Sequence, residues 1–342
     1  MKVAVLSGGG DAPGINAVIR AVVKKGIEFY SYEMVGVRNG WQGLVENEFI
    51  TLNLDEISGI LPRGGSILGT SRTNPFKHKN GAQKILGNAK ENGLSAVVVI
   101  GGEDTLGVAC KLYEMGLPCV GVPKTIDNDL LGTDYTFGFN TAVSIATDTL
   151  DRLHTTAESH QRVIILEVMG RYTGWIALEA GLAGGADAIL IPEKPFDLDE
   201  VCNLIKQRQS RGKNFSVVVV AEGAKPKEGK EILYSDSIDE FDHVRFGGVG
   251  YYLGKEIEKC IDTETRVVVL GHLQRGGSPT AFDRILATRF GIAAIDLVHQ
   301  GQFGRMVAIQ GNKIVSVSLK DVVGKRKTVD LKLYELATVF FG

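Results

Sequence analysis

Short apolar runs alternate with longer amphipathic stretches along most of this 342-residue chain. Runs of strand length that are rich in valine and isoleucine predict strands buried on both faces. They lie at residues 3–7, 95–100, 117–122, 162–168, 187–191, 215–221, 265–270 and 306–310. Helix-period patterns lie between them, at residues 14–29, 79–93, 139–158, 173–183, 197–211 and 279–300. This alternation predicts an α/β fold with mostly parallel sheets covered by helices on both faces.

Length, charge and cysteine usage narrow the class of protein. A chain of 342 residues favours two domains, and a formal net charge of −2 provides no basic field for nucleic acid. No apolar run approaches the roughly 20 residues that span a bilayer, so no membrane association is expected. The cysteines Cys110, Cys119, Cys202 and Cys260 are scattered without metal or redox spacing, which predicts reduced thiols in a cytosolic protein.

Two acidic segments follow neighbouring apolar runs and are the strongest functional signal. Glu103 and Asp104 come after one run, and Asp127 and Asp129 come after the next, close to Lys124. Parallel α/β sheets bind ligands at the carboxyl ends of their strands, so these segments should face one crevice. Carboxylates with glycines and a lysine in a crevice indicate metal-assisted phosphoryl chemistry.

Simpler explanations remain open for each segment taken alone. Asp127-Asn128-Asp129 is ordinary turn chemistry. An acid in the first turn of the next helix is favourable, although capping explains one of Glu103 and Asp104 better than both. The glycines at 8–10, before a helix, could form an anion site or merely a tight turn, and they match neither the dinucleotide fingerprint nor the P-loop.

Several motifs together are more specific than any one of them. The chain carries, in order, Gly8-Gly9-Gly10-Asp11-Ala12-Pro13-Gly14, Gly101-Gly102-Glu103-Asp104, Thr125-Ile126-Asp127-Asn128-Asp129, Met169-Gly170-Arg171 and Gly271-His272-Leu273-Gln274-Arg275-Gly276-Gly277-Ser278-Pro279. In these strings, spread over residues 3–310, the sequence resembles the bacterial-type 6-phosphofructokinases.

The resemblance implies the phosphofructokinase fold, with two Rossmann-like three-layer α/β domains. It also implies Mg²⁺-dependent phosphoryl transfer to the 1-hydroxyl of fructose 6-phosphate in the cytoplasm. Residues 1–138 with about 277–304 would bind the phosphoryl donor, and residues 139–276 with about 305–342 would bind fructose 6-phosphate. The protein would be a homodimer or homotetramer in which Arg162 and Arg266 complete the neighbouring subunit's site.

The resemblance also implies roles for individual residues. Asp127 would accept the hydroxyl proton, Thr125 would contact the substrate beside it, and Asp129 would support the loop. Arg171 would stabilise charge on the transferring phosphoryl group. Further fructose 6-phosphate contacts would be Met169, Gly170, Glu222, His272 and Arg275. The phosphoryl donor would meet Gly10, Arg72, Asp104 and Lys124, and Glu103 would stand at the metal position, where an aspartate is usual.

Two positions indicate which phosphoryl donor is used. ATP-dependent members of the family it resembles carry Gly-Gly-Asp-Gly at the positions that match 101–104, and they usually carry glycine at the position that matches 124. This chain has Asp104 and Lys124 instead. The Asp104 carboxylate takes space that a nucleotide α-phosphate needs, and like charges about 4 Å apart repel by roughly 4 kcal/mol at a dielectric of about 20. Lys124 adds a compact cation for a short donor. With Val108, where nucleotide users carry glycine, this pattern resembles the pyrophosphate-dependent branch.

The alternatives are an ATP-dependent 6-phosphofructokinase and a non-catalytic sugar-phosphate sensor on the same fold. Asp127, Asp129 and Arg171 argue against the sensor, because a sensor needs no proton acceptor. In the family's effector pocket, basic character is kept at Arg20, Lys24, Arg211 and Lys213 but lost at Leu54, His154 and Phe215. Loss of those positive charges should weaken binding of a diphosphate effector, which predicts weak or absent allosteric control. An inserted stretch, 223–245, is charged and turn-prone, which predicts a surface excursion.

Overall fold

A computed structural model of the chain describes residues 1–228, 233–235 and 239–342, which divide into two compact units. The first unit comprises Met1–Asn140, Asp239–His243 and Arg275–Arg326. The second unit comprises Thr141–Ile238, Val244–Gln274 and Lys327–Gly342. Both are α/β units with mostly parallel sheets, as predicted.

The strands, in chain order, are β1 (Lys2–Ser7), β2 (Glu33–Val37), β3 (Phe49–Thr51), β4 (Leu94–Gly101), β5 (Cys119–Thr125), β6 (Phe137–Gly138), β7 (Val163–Val168), β8 (Ala188–Leu190), β9 (Ser216–Ala221), β10 (Leu233–Ser235), β11 (Arg245–Phe246), β12 (Thr265–Val269), β13 (Arg305–Gln310) and β14 (Lys313–Ser318). The α-helices are α1 (Ile15–Tyr30), α2 (Trp41–Glu46), α3 (Gly81–Glu91), α4 (Glu103–Glu114), α5 (Phe139–His160), α6 (Trp175–Ala183), α7 (Leu198–Ser210), α8 (Val249–Cys260), α9 (Ala281–His299), α10 (Leu319–Val322) and α11 (Leu331–Thr338). Short 3₁₀ turns lie at Pro75–Lys77 and Gly271–Arg275.

The first unit is built on one sheet with the strand order β14-β13-β5-β4-β1-β2-β3, and β6 adds to the end of β5. The strands from β13 to β2 run parallel, and β3 and β14 are antiparallel edges. Alternate residues of one strand enter opposite cores: Val3 and Val5 pack into one cluster, and Ala4 and Leu6 pack into the other. Burial on both faces explains why these strands are continuously apolar.

The second unit has a four-stranded parallel sheet with the order β12-β7-β9-β8. Side chains of its strands pack with α7 and α8 in one core cluster. The glycines Gly250 and Gly254 let α8 lie close to β12, because a Cβ atom at either position would come within 3.0–3.2 Å of Val267. Glycines lower intrinsic helix propensity, but the apolar residues of α8 recur with a clear helical period, and this helix was nevertheless not predicted from the sequence.

The boundaries of the two units differ from the predicted domain boundaries in one segment. Residues from 305 onward were expected in the domain that binds the sugar phosphate, but the segment up to Arg326 belongs to the first unit. The reason is strand pairing: Arg305 and Met306 of β13 lie beside Val120 and Gly121 of β5, and β14 pairs with β13 as a hairpin. Across the described residues, no helix has both the length and the apolar character needed to cross a bilayer.

The prediction that all four cysteines are free thiols was also wrong. Cys202 of α7 and Cys260 at the end of α8 form a disulfide, with Cα atoms 6.3 Å apart and a sequence separation of 58. Distant positions meet here because α7 and α8 pack together in the core of the second unit. Cys110 and Cys119 remain free thiols, and burial raises the pKa of the Cys119 thiol to about 12.

Reducing this disulfide should destabilise the protein. Closing a long loop lowers the entropy of the unfolded chain, so dithiothreitol is expected to lower the unfolding free energy by about 2–4 kcal/mol. Urea denaturation with and without the reductant measures the change. A Cys202→Ser variant should lose the response to the reductant, whereas a Cys110→Ser control should keep it. Equal midpoints for the untreated and the reduced wild-type protein would contradict the pairing.

Candidate active site

Three neighbouring strands of the first unit end at one edge of its sheet. β1, β4 and β5 are adjacent and parallel, and their last residues are Ser7, Gly101 and Thr125. The loop after β1 is hydrogen-bonded to β4, because the Gly8 N–H donates to the Ile100 carbonyl at 3.0 Å. The predicted convergence of the glycine loop and the two acidic segments is therefore observed within this unit.

The glycines in these loops make room for two side chains. A Cβ atom at Gly8 would lie 2.8 Å from the Thr105 methyl group, and one at Gly101 would lie 2.3 Å from Thr105 Cβ. At Gly10, an added Cβ would lie 2.8 Å from Nη1 of Arg275. A side chain at any of these three glycine positions would clash with Thr105 or Arg275, so only glycine fits there.

Lys124 is the central cation of this edge. It is a residue of β5 and only 2 % exposed, and its Nζ donates a hydrogen bond to the Gly10 carbonyl. Burial lowers the pKa of this ammonium to about 7, assisted by the positive charges of Arg275 and Arg72 and opposed by Asp11 and Asp127. An anionic ligand would supply the negative charge that a buried ammonium lacks.

Asp11 and Arg275 flank that lysine. Burial raises the pKa of the Asp11 carboxyl, while the charges of Lys124 and Arg275 lower it in part. Nη1 of Arg275 donates to the Asp11 carbonyl at 3.1 Å. Arg275, which was predicted to contact the sugar phosphate, thus lies against the glycine loop of the first unit.

The loop that carries Asp127 is fixed by its own hydrogen bonds. The Asp127 N–H donates to Thr125 Oγ1 at 3.0 Å. The Thr136 N–H donates to Asn128 Oδ1 at 3.1 Å, and the Thr136 hydroxyl donates to the Thr125 carbonyl at 2.7 Å. Asn128 turns the chain with a φ of 51°, a conformation that asparagine tolerates. Asp127 is buried and Asp129 half-buried, so the segment is a turn that also presents a carboxylate at the edge.

Two residues predicted to contact the phosphoryl donor have partners that the sequence did not indicate. Nε2 of His243 lies 2.9 and 3.0 Å from the two carboxylate oxygens of Asp104. Arg72 Nη1 lies 3.4 Å from Oδ2 of Asp239. Within the predicted surface excursion at 223–245, residues 239–243 are exposed or half-buried and belong to the first unit, whereas residues 229–232 and 236–238 lie outside the described residues.

Glu103 was predicted to stand at the metal position. It begins α4, and its Oε1 accepts a hydrogen bond from the Gly324 N–H at 3.1 Å. In the described part of the chain, no three His, Cys, Asp or Glu side chains form a metal cage. A magnesium ion that bridges a bound phosphate needs only one or two protein carboxylates, so a single Glu103 fits that ion.

In the second unit, the ends of β7 and β9 bring Arg171 and Glu222 together. The Arg171 N–H donates to Oε1 of Glu222 at 3.1 Å. Gly170 has a φ of 145°, and a Cβ there would lie 2.3 Å from the Thr173 carbonyl oxygen, so the Met169-Gly170-Arg171 turn requires glycine. Gln274, which sequence reasoning missed, is fully buried and accepts from the Met169 N–H at 3.3 Å. His272 is exposed in the adjacent 3₁₀ turn.

Arg162 and Arg266 lie away from that turn. Arg162 immediately precedes β7, Arg266 pairs with Ile164 near the same end of the sheet, and both guanidinium groups form ion pairs with Glu264. Because a strand rises about 3.3 Å per residue, the length of β7 separates Arg162 from Met169-Gly170-Arg171 by roughly 20 Å and Arg266 by roughly 17 Å. A single small ligand cannot contact both places on one chain.

Comparison with known proteins supports the resemblance found in the motifs. The phosphofructokinase family model matches residues 2–298. The chain is 57 % identical to the pyrophosphate--fructose 6-phosphate 1-phosphotransferase of Streptomyces coelicolor over 343 aligned positions, covering all of both chains. It is 53 % identical to the ATP-dependent 6-phosphofructokinase 3 of the same organism, over 96 % of each chain. The crystal structure of a pyrophosphate-dependent phosphofructokinase from Marinobacter aquaeolei superposes with a TM-score of 0.83 at 25 % identity, covering 97 % of this chain and 86 % of that one.

Binding of a phosphate polyanion at Lys124 should take up a proton near pH 8. A lysine with a pKa of about 7 is mostly neutral at that pH, and a bound anion favours its charged form. Calorimetric titration with pyrophosphate, in buffers of different ionisation enthalpy, measures the uptake.

The matched variant is Lys124→Arg, whose guanidinium stays charged at every working pH. It should bind pyrophosphate with less proton uptake than the wild-type protein, which separates the lysine from the titration of the anion itself. Equal uptake by the two proteins would contradict the lowered pKa.

Proposed function

The chain belongs to the phosphofructokinase family, and on that premise we propose that it transfers a phosphoryl group between pyrophosphate and the 1-hydroxyl of fructose 6-phosphate. The products in the forward direction are fructose 1,6-bisphosphate and phosphate. Exchange of a phosphoanhydride for a phosphate ester of comparable energy lets the reaction run both ways, in glycolysis and in gluconeogenesis.

The observation that carries the choice of pyrophosphate is the presence of both Asp104 and a buried Lys124 at one edge of the sheet of the first unit. Asp104 lies in the first turn of α4, where its carboxylate opposes the charge of a nucleotide α-phosphate. Lys124 is buried beside Gly10, where a compact ammonium suits the terminal phosphate of a short phosphoryl donor.

An ATP-dependent reaction is the second candidate, because ATP-dependent relatives are nearly as similar to this chain as pyrophosphate-dependent ones. The identities are 53 % and 57 %, respectively, for two proteins of one organism. Overall identity does not separate these branches, so the assignment of the phosphoryl donor depends on the residues at 104 and 124.

Asp127 is proposed as the proton acceptor of the reaction. The 1-hydroxyl oxygen forms a bond to the terminal phosphorus of pyrophosphate while the bond from that phosphorus to the bridging oxygen breaks, and phosphate leaves. The hydroxyl proton passes to the Asp127 carboxylate, which the hydrogen bond between the Asp127 N–H and Thr125 Oγ1 helps to orient. Asp129 supports the same loop.

The second unit is proposed to hold fructose 6-phosphate. The turn at Met169 and Gly170, with Glu222 beside it, fixes the backbone at Arg171, whose guanidinium would stabilise charge on the phosphoryl group in transfer. His272 and Arg275 would contribute further contacts to the sugar phosphate. On the side of the phosphoryl donor, Gly10 and Arg72 would contact pyrophosphate, and Glu103 would hold Mg²⁺, which when bound neutralises charge on the phosphates.

The position of Arg162 and Arg266 supports an oligomer. Both lie at the end of the sheet opposite Arg171, so they are proposed to reach the 6-phosphate in a neighbouring subunit. A homodimer or a homotetramer provides such a neighbour.

The proposal also includes a cytoplasmic location. It further includes weak allosteric control, for which the side chains at the family's effector pocket give the reason. Nε2 of His154 donates a hydrogen bond to the Gly184 carbonyl at 2.8 Å, and its ring packs edge-on against Phe215, so both residues are engaged inside the second unit. Arg208 lies 5.8 Å above the same Phe215 ring. These packed side chains replace basic groups that a diphosphate effector would need.

Replacing both selective residues should erode the use of pyrophosphate. In Asp104→Gly/Lys124→Gly, loss of the ammonium contact is expected to lower kcat/KM for pyrophosphate about 10- to 100-fold, while the value for ATP rises. Steady-state assays with each phosphoryl donor separately measure both values. Cys110→Ser, further along the same helix, is the matched control and should behave like the wild-type protein. Unchanged pyrophosphate kinetics in the double variant would show that other residues select the phosphoryl donor.

Removing the proposed base separates an enzyme from a sensor. Asp127→Ala should lower kcat about 10²- to 10⁴-fold, because general base catalysis contributes that much. Fructose 6-phosphate should still bind, as measured by calorimetry, since the arginine contacts remain. If the variant turned over substrate as fast as the unmodified protein, Asp127 would have no part in the mechanism. If the unmodified protein bound the sugar phosphate without any turnover, that result would support the sensor.

A further inference from the structure

Residues Asp239–His243, here named the 239–243 segment, form a small closed turn within the first unit. The Asp239 N–H donates to the His243 carbonyl at 3.1 Å. Oδ1 of Asp239 accepts from the N–H groups of Phe241 and His243 at 3.0 and 3.1 Å. These bonds set the backbone from which the His243 side chain projects.

The segment is attached to the first unit by complementary charges. Glu240 accepts from the Asn74 N–H at 2.8 Å and lies 3.2 Å from Nε2 of His78. Lys77 pairs with Asp242 at 2.7 Å. Phe241 packs against the apolar cluster that includes residues of α4. The segment is thus fixed by an apolar contact as well as by ion pairs that, being exposed, contribute little individually.

The segment reaches two residues that face the phosphoryl donor in the proposed function. Asp239 pairs with Arg72, and His243 contacts both oxygens of the Asp104 carboxylate. An ionised carboxylate only accepts hydrogen bonds, so Nε2 of His243 carries the proton in this contact. The side chains of Asp104 and His243 are 27 % and 15 % exposed, which places the contact partly out of water.

We propose that His243 is a positioning residue for selection of the phosphoryl donor: it holds the Asp104 carboxylate where that group excludes a nucleotide. The inference rests on the proposed use of pyrophosphate. The 239–243 segment acts through Asp104 and through Arg72, and it takes no part in proton transfer.

The physical reason is the freedom of the aspartate side chain. A partly exposed aspartate at the start of a helix can rotate among several rotamers, and only some of them occupy the space beside the phosphoryl donor. A hydrogen bond from a histidine that is itself fixed by the 239–243 segment selects one arrangement. Without it, the carboxylate can swing aside and a nucleotide can enter.

A double-mutant cycle tests this coupling. His243→Ala should lower the ratio of kcat/KM for pyrophosphate to kcat/KM for ATP about 5- to 30-fold, the effect expected for loss of one such interaction. In an Asp104→Gly background, the same substitution should change the ratio less than about two-fold, because no carboxylate remains to be held. His243→Gln, which keeps an amide donor near the position of Nε2, should restore part of the ratio.

The matched control is Lys77→Ala, which removes an anchor of the 239–243 segment without touching Asp104. It should leave the donor ratio at its wild-type value, and thermal melting should show that each variant is folded. An unchanged ratio in His243→Ala would overturn the proposal, as would an equal effect with and without Asp104. If the wild-type protein used ATP and no pyrophosphate, the proposed function would fall, but coupling between positions 104 and 243 in the ATP kinetics would still report on His243.

Discussion

The burial of one ammonium group organises the candidate site. Lys124 is enclosed in β5 with its Nζ on the Gly10 carbonyl, and that enclosure lowers its pKa to about 7. A buried cation is costly unless an anion compensates for it, and the nearby carboxylates of Asp11 and Asp127 do so only in part. The site is therefore prepared for a ligand with concentrated negative charge, and a diphosphate has this property.

The rest of the first unit provides the frame for that charge. Parallel pairing of β1, β4 and β5 places three loops at one edge, and glycines at 8, 10 and 101 leave room for Thr105 and Arg275. Because the backbone is closely packed there, we propose that a few side chains determine which phosphoryl donor is bound. In the proposed function, Asp104 at the start of α4 is one of these side chains, and its contact with His243 adds a segment distant in sequence. Discrimination between phosphoryl donors can thus change without a change of fold, which fits the similar identities of relatives that use different donors.

The sequence predicted those features whose causes are local. Every strand predicted from an apolar run is present, because strands buried on both faces need apolar residues at consecutive positions. The two acidic segments meet the glycine loop because strand order places their loops together. Helix α8 was missed although its apolar residues recur with a helical period, and its glycines, which permit close packing, lower only its intrinsic helix propensity. The Cys202–Cys260 and Asp104–His243 contacts join positions far apart in sequence, so no spacing rule indicated them.

The most direct test of the central claim is a comparison of the two phosphoryl donors with the unmodified protein. Purified wild-type enzyme is assayed with fructose 6-phosphate and Mg²⁺, and formation of fructose 1,6-bisphosphate is measured with pyrophosphate alone and with ATP alone. The account predicts saturable turnover with pyrophosphate and a kcat/KM at least about 100-fold lower with ATP, a difference of about 2.8 kcal/mol in transition-state stabilisation. Strong turnover with ATP and none with pyrophosphate would contradict it.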